Sequence, residues 1–174
     1  MKVYFITHST TEDNEVGIAS GWKDVQLSRS GIQQAGEVAT RFEKIDLGLI
    51  CCSDLIRAVA TVRIAFGDKI STIIDKRLRE INYGKLNGNL IEIVDPINKK
   101  WITNPFPNGE SYEQATARIH DFCRELKAFH THTVTLIVGH RATKFGLDTF
   151  SGNKTLEECL STPHEWQPYW EYEL

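Results

Sequence analysis

The tetrapeptide Val3-Tyr4-Phe5-Ile6 constrains this chain more than any other stretch. Its residues are β-branched or aromatic with no polar interruption, a pattern that suits a strand covered on both faces, as in a parallel sheet under helices. The strand leads into Thr7-His8 and the hydroxyl-rich Ser9-Thr10-Thr11. Open α/β sheets bind ligands just beyond the carboxyl ends of their strands, so His8 stands where such folds do their chemistry. A lone histidine there is also a common hydrogen-bonded structural residue, and it needs companions before it implies a function.

Strand and helix alternate along the rest of the chain. A polar loop, Thr10 to Gln26, closes on Ser20-Gly21-Trp22, and loops of that length inside a compact domain usually serve function. Ser28 caps a helix whose apolar positions Ile32, Ala35, Val38, Ala39 and Phe42 follow the helical repeat. Leu47 to Cys52 is the second strand. A helix then opens at Asp54, capped by Ser53 or Asp54 and closed by Gly67. Ile70 to Ile74 makes a third strand, and Arg77 to Gly88 a loop leading to a helix around Leu90 to Trp101. Pro105 to Gly109 is a turn, and Glu110-Ser111 starts an amphipathic helix reaching about His130. The apolar strand Thr133 to Gly139 runs into His140, followed by a helix from Ala142 to about Phe150. The aromatic tail, Trp166 to Tyr172, is expected to pair as an edge strand or cover the core. A length of 174 residues, with no repeat and no low-complexity segment, implies one domain over residues 1–174. Its expected class is α/β, a three-layer α/β/α sandwich with a mostly parallel central sheet.

Composition excludes several classes. A net charge of -3 without a basic stripe argues against nucleic acid as a partner. No apolar run approaches a membrane span, and the amino terminus enters the first strand without a signal-like segment, which points to the cytoplasm. Cys51, Cys52, Cys123 and Cys159 have neither zinc-like spacing nor the density of a disulfide scaffold. His8 and His140 lack the carboxylate or thiolate companions of a zinc site, so no metal or other cofactor is expected.

Two strand ends bearing histidine, with an arginine early in a helix, form a constellation. Phosphoryl transfer needs a nucleophile, fixed positive charge around the non-bridging oxygens, and a proton donor for the leaving oxygen. His8 can attack through a neutral ring nitrogen. Arg57 presents a planar fork of donors, though it can equally pair with Asp54 on a helix surface. Glu80 can donate the proton if burial raises its pKa, or stand as a solvated carboxylate beside Arg77 and Arg79. Trp22 is expected to anchor its loop, and His120, His130, His132 and His164 to sit at the surface or in packing.

Five landmarks complete the pattern: His8 through Asn14 to Ser20-Gly21-Trp22-Lys23-Asp24-Val25-Gln26-Leu27, Ser53-Asp54-Leu55-Ile56-Arg57-Ala58, Leu78-Arg79-Glu80-Ile81-Asn82-Tyr83-Gly84, Pro107-Asn108-Gly109-Glu110-Ser111, and Val138-Gly139-His140. In order and spacing the chain resembles the histidine phosphatase superfamily, with its phosphoglycerate mutase-like fold. The resemblance implies that His8 becomes the phosphohistidine, that Arg57 and His140 bind the phosphoryl group, and that Glu80 is the acid and base. It also implies that Asn14 and Ser20, with Gly21 beside them, contact phosphate or substrate. One departure stands out: the family's Arg-His-Gly reads Thr7-His8-Ser9 here. Losing a charged clamp on an anion costs about 2 to 5 kcal/mol. Thr7 and Ser9 supply hydroxyl donors instead, and Arg141, next to His140, can bring a guanidinium into the space beside Thr7. The expected function is a phosphatase that hydrolyses a small phosphomonoester with water as acceptor, releasing inorganic phosphate. Mutase activity is disfavoured because no inserted segment is present to hold a bisphosphorylated intermediate. The alternative is a catalytically weakened relative that binds a phosphorylated ligand or a partner protein. No motif decides the leaving group or the oligomeric state.

Overall fold

The computed structural model describes residues 1–94, 100–163 and 165–174. The first half of the chain builds β1 (Lys2–Thr7), α1 (Glu12–Glu15), β2 (Ile18–Ala19), α2 (Arg29–Val38), β3 (Leu49–Cys52), α3 (Ile56–Phe66), β4 (Thr72–Ile74) and β5 (Asn89–Leu90). The second builds α4 (Lys100–Thr103), α5 (Tyr112–His130), β6 (Thr135–Gly139), α6 (Arg141–Phe150), α7 (Leu156–Ser161) and β7 (Trp170–Glu173). Five strands form one sheet in the order β4-β3-β6-β1-β7. β4, β3, β6 and β1 are parallel, and β7 closes the edge antiparallel to β1. Of the aromatic tail, Trp170 to Tyr172 therefore pairs as an edge strand, and Trp166 to Tyr169 precedes it.

Alternation along the strands splits the core in two, since successive side chains leave a strand on opposite faces. Val3, Phe5, Leu49, Cys51 and Ile137 point to the layer of α5, α6 and α7, where Ile119, Phe122 and Leu147 receive them. Tyr4, Ile6, Ile50, Cys52, Leu136 and Val138 point to the layer of α2 and α3, against Val38, Val62 and Phe66. Both faces are covered, which is why β1, β3 and β6 read as unbroken apolar runs and the fold is the expected three-layer α/β/α sandwich with a mostly parallel sheet.

Several local expectations change. The Thr10 to Gln26 stretch holds α1, capped by Thr11 with Asn14 answering as a capping box, and the short β2 paired with β5. Ile32 lies on the outer face of α2 and is 52% exposed. Neither Ser53 nor Asp54 caps α3: the Ser53 hydroxyl accepts the Leu55 N–H, and the helix's first N–H, at Ile56, donates to Asp24 at 3.0 Å. Asp54 is instead drawn to Arg79 in a two-pronged ion pair. Ser111, with Gln114, caps α5 as a capping box, so Glu110 lies just outside the helix. Of the helix expected around Leu90 to Trp101, residues 95–99 lie outside the described residues; Leu90 ends β5 and Lys100 begins α4. His164 also lies outside them. α7 has no counterpart in the sequence reading, being a six-residue helix behind a Thr155–Glu158 capping box. No described helix is long and apolar enough to cross a membrane.

Candidate active site

The carboxyl ends of the four parallel strands supply the expected centre: His8 follows β1, Arg57 lies in the first turn of α3 behind β3, Glu80 follows β4, and His140 follows β6. β1 and β6 are in register, with Thr7 opposite Gly139, and the His8 N–H donates to the Gly139 carbonyl at 2.9 Å. Both histidines thus leave the sheet side by side, with ring centroids 5.0 Å apart.

A short relay of hydrogen bonds fixes the His8 ring. The Thr61 hydroxyl donates to the Arg57 carbonyl at 2.8 Å and accepts the Ser9 N–H at 3.0 Å. The Ser9 carbonyl in turn lies 2.7 Å from His8 Nδ1. A carbonyl only accepts, so Nδ1 carries the proton and Nε2 the lone pair. Arg57 agrees from the other side, its Nε donating to His8 Nε2 at 3.2 Å. Burial, then the Arg57 charge, pulls the His8 pKa down to about 3, which keeps the ring neutral at physiological pH.

Arg57 is 2% exposed and makes no ion pair among the described residues. Its other nitrogens donate to the carbonyls of Lys23 at 2.9 Å and Gly21 at 2.8 Å, so the loop that closes on Trp22 wraps the guanidinium. Gly21 has φ of +55°, and a side chain there would meet Asn87; the loop can turn this tightly only with glycine. A buried cation whose hydrogen bonds go to neutral groups, with Glu80, Asp24 and Asp13 acting on it only at a distance, is suited to an anion. His140 is 1% exposed, with no hydrogen-bond partner for either ring nitrogen. Burial, then Arg57 and His8, holds its pKa well below the usual histidine value.

Glu80 is neither free in solvent nor paired with its arginine neighbours. Arg77 binds Asp75 and Glu125, and Arg79 binds Asp54. The Glu80 carboxylate accepts the N–H groups of Ile81 at 2.8 Å, Ala142 at 3.1 Å and Arg141 at 3.2 Å, and so sits on the N-terminus of α6 beside His140. Trp22 anchors its loop there, its indole donating to the Glu80 carbonyl at 2.6 Å.

Arg118, on α5, is a supporting residue that the sequence reading passed over. It donates to the carbonyls of Arg77, Arg79 and Glu80 and forms an ion pair with Glu110 at 2.7 Å. Glu110 also accepts the Asn82 N–H, so the Asn108-Gly109-Glu110 landmark braces the segment that carries Glu80. An inward arginine at helical spacing from Ala115 and Phe122 was the only signal. Thr143 is a second missed residue: its hydroxyl donates to the Leu78 carbonyl and accepts the His140 N–H.

The centre opens into a cavity of about 460 Å³ lined by Thr7, His8, Asn14, Ser20, Gly21, Arg57, Glu80, His140 and Arg141. Ser9 is not among its lining residues and borders a smaller neighbouring cavity with Thr7 and His8. Ser20 donates to Asp13 at 2.8 Å. Arg141 does not pair with Asp148, which binds Lys144 and the Tyr172 hydroxyl, each at 2.7 Å. Its guanidinium lies 5.4 Å over the Phe145 ring, with Nε buried and without a partner. Among the described residues, no group of three His, Cys, Asp or Glu side chains could hold a metal ion.

Comparison with known proteins bears on the family and the fold. A family model of the histidine phosphatase superfamily (branch 1) matches residues 3–147. A putative phosphoserine phosphatase 2 of Hydrogenobacter thermophilus is 31% identical over 152 residues, 82% of this chain and 74% of that one. A probable phosphoglycerate mutase GpmB of Shigella dysenteriae is 32% identical over 138 residues, 72% of this chain and 64% of the relative. Among solved structures, a phosphoserine phosphatase variant of Entamoeba histolytica in complex with phosphoserine superposes with a TM-score of 0.79 at 25% identity, covering 93% of this chain and 85% of the other.

Proposed function

The chain belongs to the histidine phosphatase superfamily, branch 1, and from that premise we propose that it hydrolyses a small phosphomonoester through a phosphohistidine on His8. The observation that carries the proposal is the tautomer of His8: Nδ1–H is tied to the Ser9 carbonyl, and the Nε2 lone pair lies against Arg57 in the shared cavity. Nucleophilic histidine must be neutral with the attacking nitrogen unprotonated.

The steps follow from the placement. An incoming phosphoryl oxygen takes the Arg57 Nε–H, which releases the Nε2 lone pair. Glu80 takes the proton of the phosphomonoester monoanion; Nε2 then attacks phosphorus as the bond to the leaving oxygen breaks, and Glu80 passes that proton to the leaving oxygen. His140, with both ring nitrogens unpaired, donates an N–H to a non-bridging oxygen. Water then attacks phosphorus, Glu80 takes its proton, and the Nε2–P bond breaks to release inorganic phosphate. Arg57 and His140 stabilise charge developing on the phosphoryl oxygens.

Thr7 favours a second reading, a family member that binds a phosphorylated ligand with little turnover. The relatives named as phosphatases support the first. Phosphate release from a panel of phosphomonoesters separates the two: turnover abolished by His8→Ala supports the phosphatase, and tight binding without release supports the binder.

A further inference from the structure

His8 takes its orientation from a peptide group, the one between Ser9 and Thr10, whose carbonyl lies 2.7 Å from Nδ1. The N–H of that same peptide, on Thr10, donates to Gln34 Oε1 at 3.1 Å, and the Thr10 hydroxyl donates to the same oxygen at 2.9 Å. An N–H only donates, so the Gln34 atom that faces it is the amide oxygen. The preceding peptide, between His8 and Ser9, is held by Thr61, a fully buried residue whose hydroxyl accepts the Ser9 N–H at 3.0 Å. Gln34 lies on α2 and Thr61 on α3, two helices of one layer. Both peptides flanking Ser9 are therefore pinned, one by each helix. α2 comes close enough because Gly31 has no side chain: a Cβ there would lie 1.9 Å from the Thr10 carbonyl oxygen, which accepts the Ser28 N–H at 3.0 Å.

We propose that Gln34 and Thr61 are positioning residues for the nucleophile: by clamping the peptides on either side of Ser9 they hold its carbonyl on Nδ1 and keep the lone pair on Nε2. A trans peptide carries its N–H and C=O on opposite sides, so His8, the peptide and Gln34 form one chain of hydrogen bonds in which each bond polarises the next. Gln34 thereby makes the Ser9 carbonyl a stronger acceptor, and that carbonyl raises the basicity of His8 against the opposing effects of burial and Arg57. Arg57 holds the same tautomer from the other side, but only until a phosphoryl oxygen takes its Nε–H. Through the chemical step the clamp alone remains. The use made of the lone pair rests on the phosphatase reading, to which the clamp adds the two side chains that preserve it.

Two readouts on the whole protein test the clamp. Ring ¹⁵N shifts of His8, recorded with and without inorganic phosphate, report the tautomer independently of turnover, and kinetics with p-nitrophenyl phosphate report its use. Gln34→Met keeps the length of the side chain and loses the acceptor; Thr61→Val keeps the buried shape and loses the hydroxyl. In both, the Nδ1 and Nε2 shifts should move toward each other. kcat should fall by about two- to tenfold for Gln34→Met and by roughly ten- to a hundredfold for Thr61→Val, with KM little moved. Gln34→Glu and Thr61→Ser, which keep an oxygen acceptor in place, should keep the wild-type ring shifts. Gln34 is exposed, so its variants read the clamp even where a change at Thr61 does not fold. Wild-type ring shifts in Gln34→Met and Thr61→Val, or an unchanged kcat in both, overturn the proposal. Phosphate release by the wild type with unmoved shifts in the variants sinks the clamp alone, and moved shifts in a protein that releases no phosphate sink the phosphatase reading alone.

Discussion

Arg57 Nε lies 3.2 Å from His8 Nε2, so the guanidinium that would grip a phosphoryl oxygen also guards the lone pair that would attack phosphorus. In the proposed mechanism the anion that needs the nucleophile would also be what draws the N–H away. Arg57→Lys keeps the charge but loses the fork, and kcat/KM for p-nitrophenyl phosphate should fall by roughly 10²- to 10³-fold. Replacing Arg57 by Met removes the charge, and the His8 pKa, read by NMR of the ring, should move up from about 3. An unmoved His8 would mean that burial alone depresses it.

Both site histidines make stability depend on pH. His8 titrates near 3 and His140 well below the ordinary value in the fold, whereas each titrates near ~6.5 when unfolded. Between those values the unfolded chain binds more protons. Stability therefore rises with pH across the window and is lost as the pH falls from about 6.5 toward 3, by up to about 1.4 kcal/mol per pH unit for each histidine. Urea unfolding at pH 7 and pH 5.5 should show the loss, and His140→Asn should show a smaller one. Equal losses in both proteins would assign the effect elsewhere.

Glu80→Gln tests the proton donor. Alkyl phosphates, whose leaving oxygen needs a proton, should slow by about 10²-fold or more, and p-nitrophenyl phosphate far less. Because Glu80 also accepts N–H groups from Ile81, Arg141 and Ala142, a purely positioning role would slow both substrates equally.

Arg141 and Thr7 border the same cavity as His8, and compensation for the missing family arginine is open to a double-mutant cycle. Arg141→Ala should reduce kcat/KM, and Thr7→Arg should restore much of it in the double variant. Strictly additive effects would mean that the two side chains never share the phosphate.

What the sequence revealed follows from the range of the interaction concerned. β1, β3 and β6 were legible because burial on both faces leaves unbroken apolar runs, and their carboxyl ends located His8 and His140. Caps that bond locally, Ser28 on Gly31 and Ser111 with Gln114, followed from residue type or the first residues of a helix. Caps from a distance did not: nothing near Ile56 announces Asp24 as the acceptor for its N–H. Arg118 was passed over for the same reason, since its partners lie 8 or more residues away, and so was the bond from Thr143 to Leu78, which spans 65. The Asp54 and Arg79 pairing likewise crosses 25 residues, which freed Arg57 for the site.

The central claim is a covalent phosphorus–nitrogen bond at His8 Nε2. Rapid mixing of excess protein with ³²P-labelled phenyl phosphate, quenched in base and followed by peptide mapping, measures it directly. The account predicts acid-labile, base-stable label on the peptide containing His8, formed within one turnover, decaying as inorganic phosphate appears, and missing from His8→Ala. Phosphate release at the wild-type rate with no label on that peptide, or label persisting in His8→Ala, would contradict it.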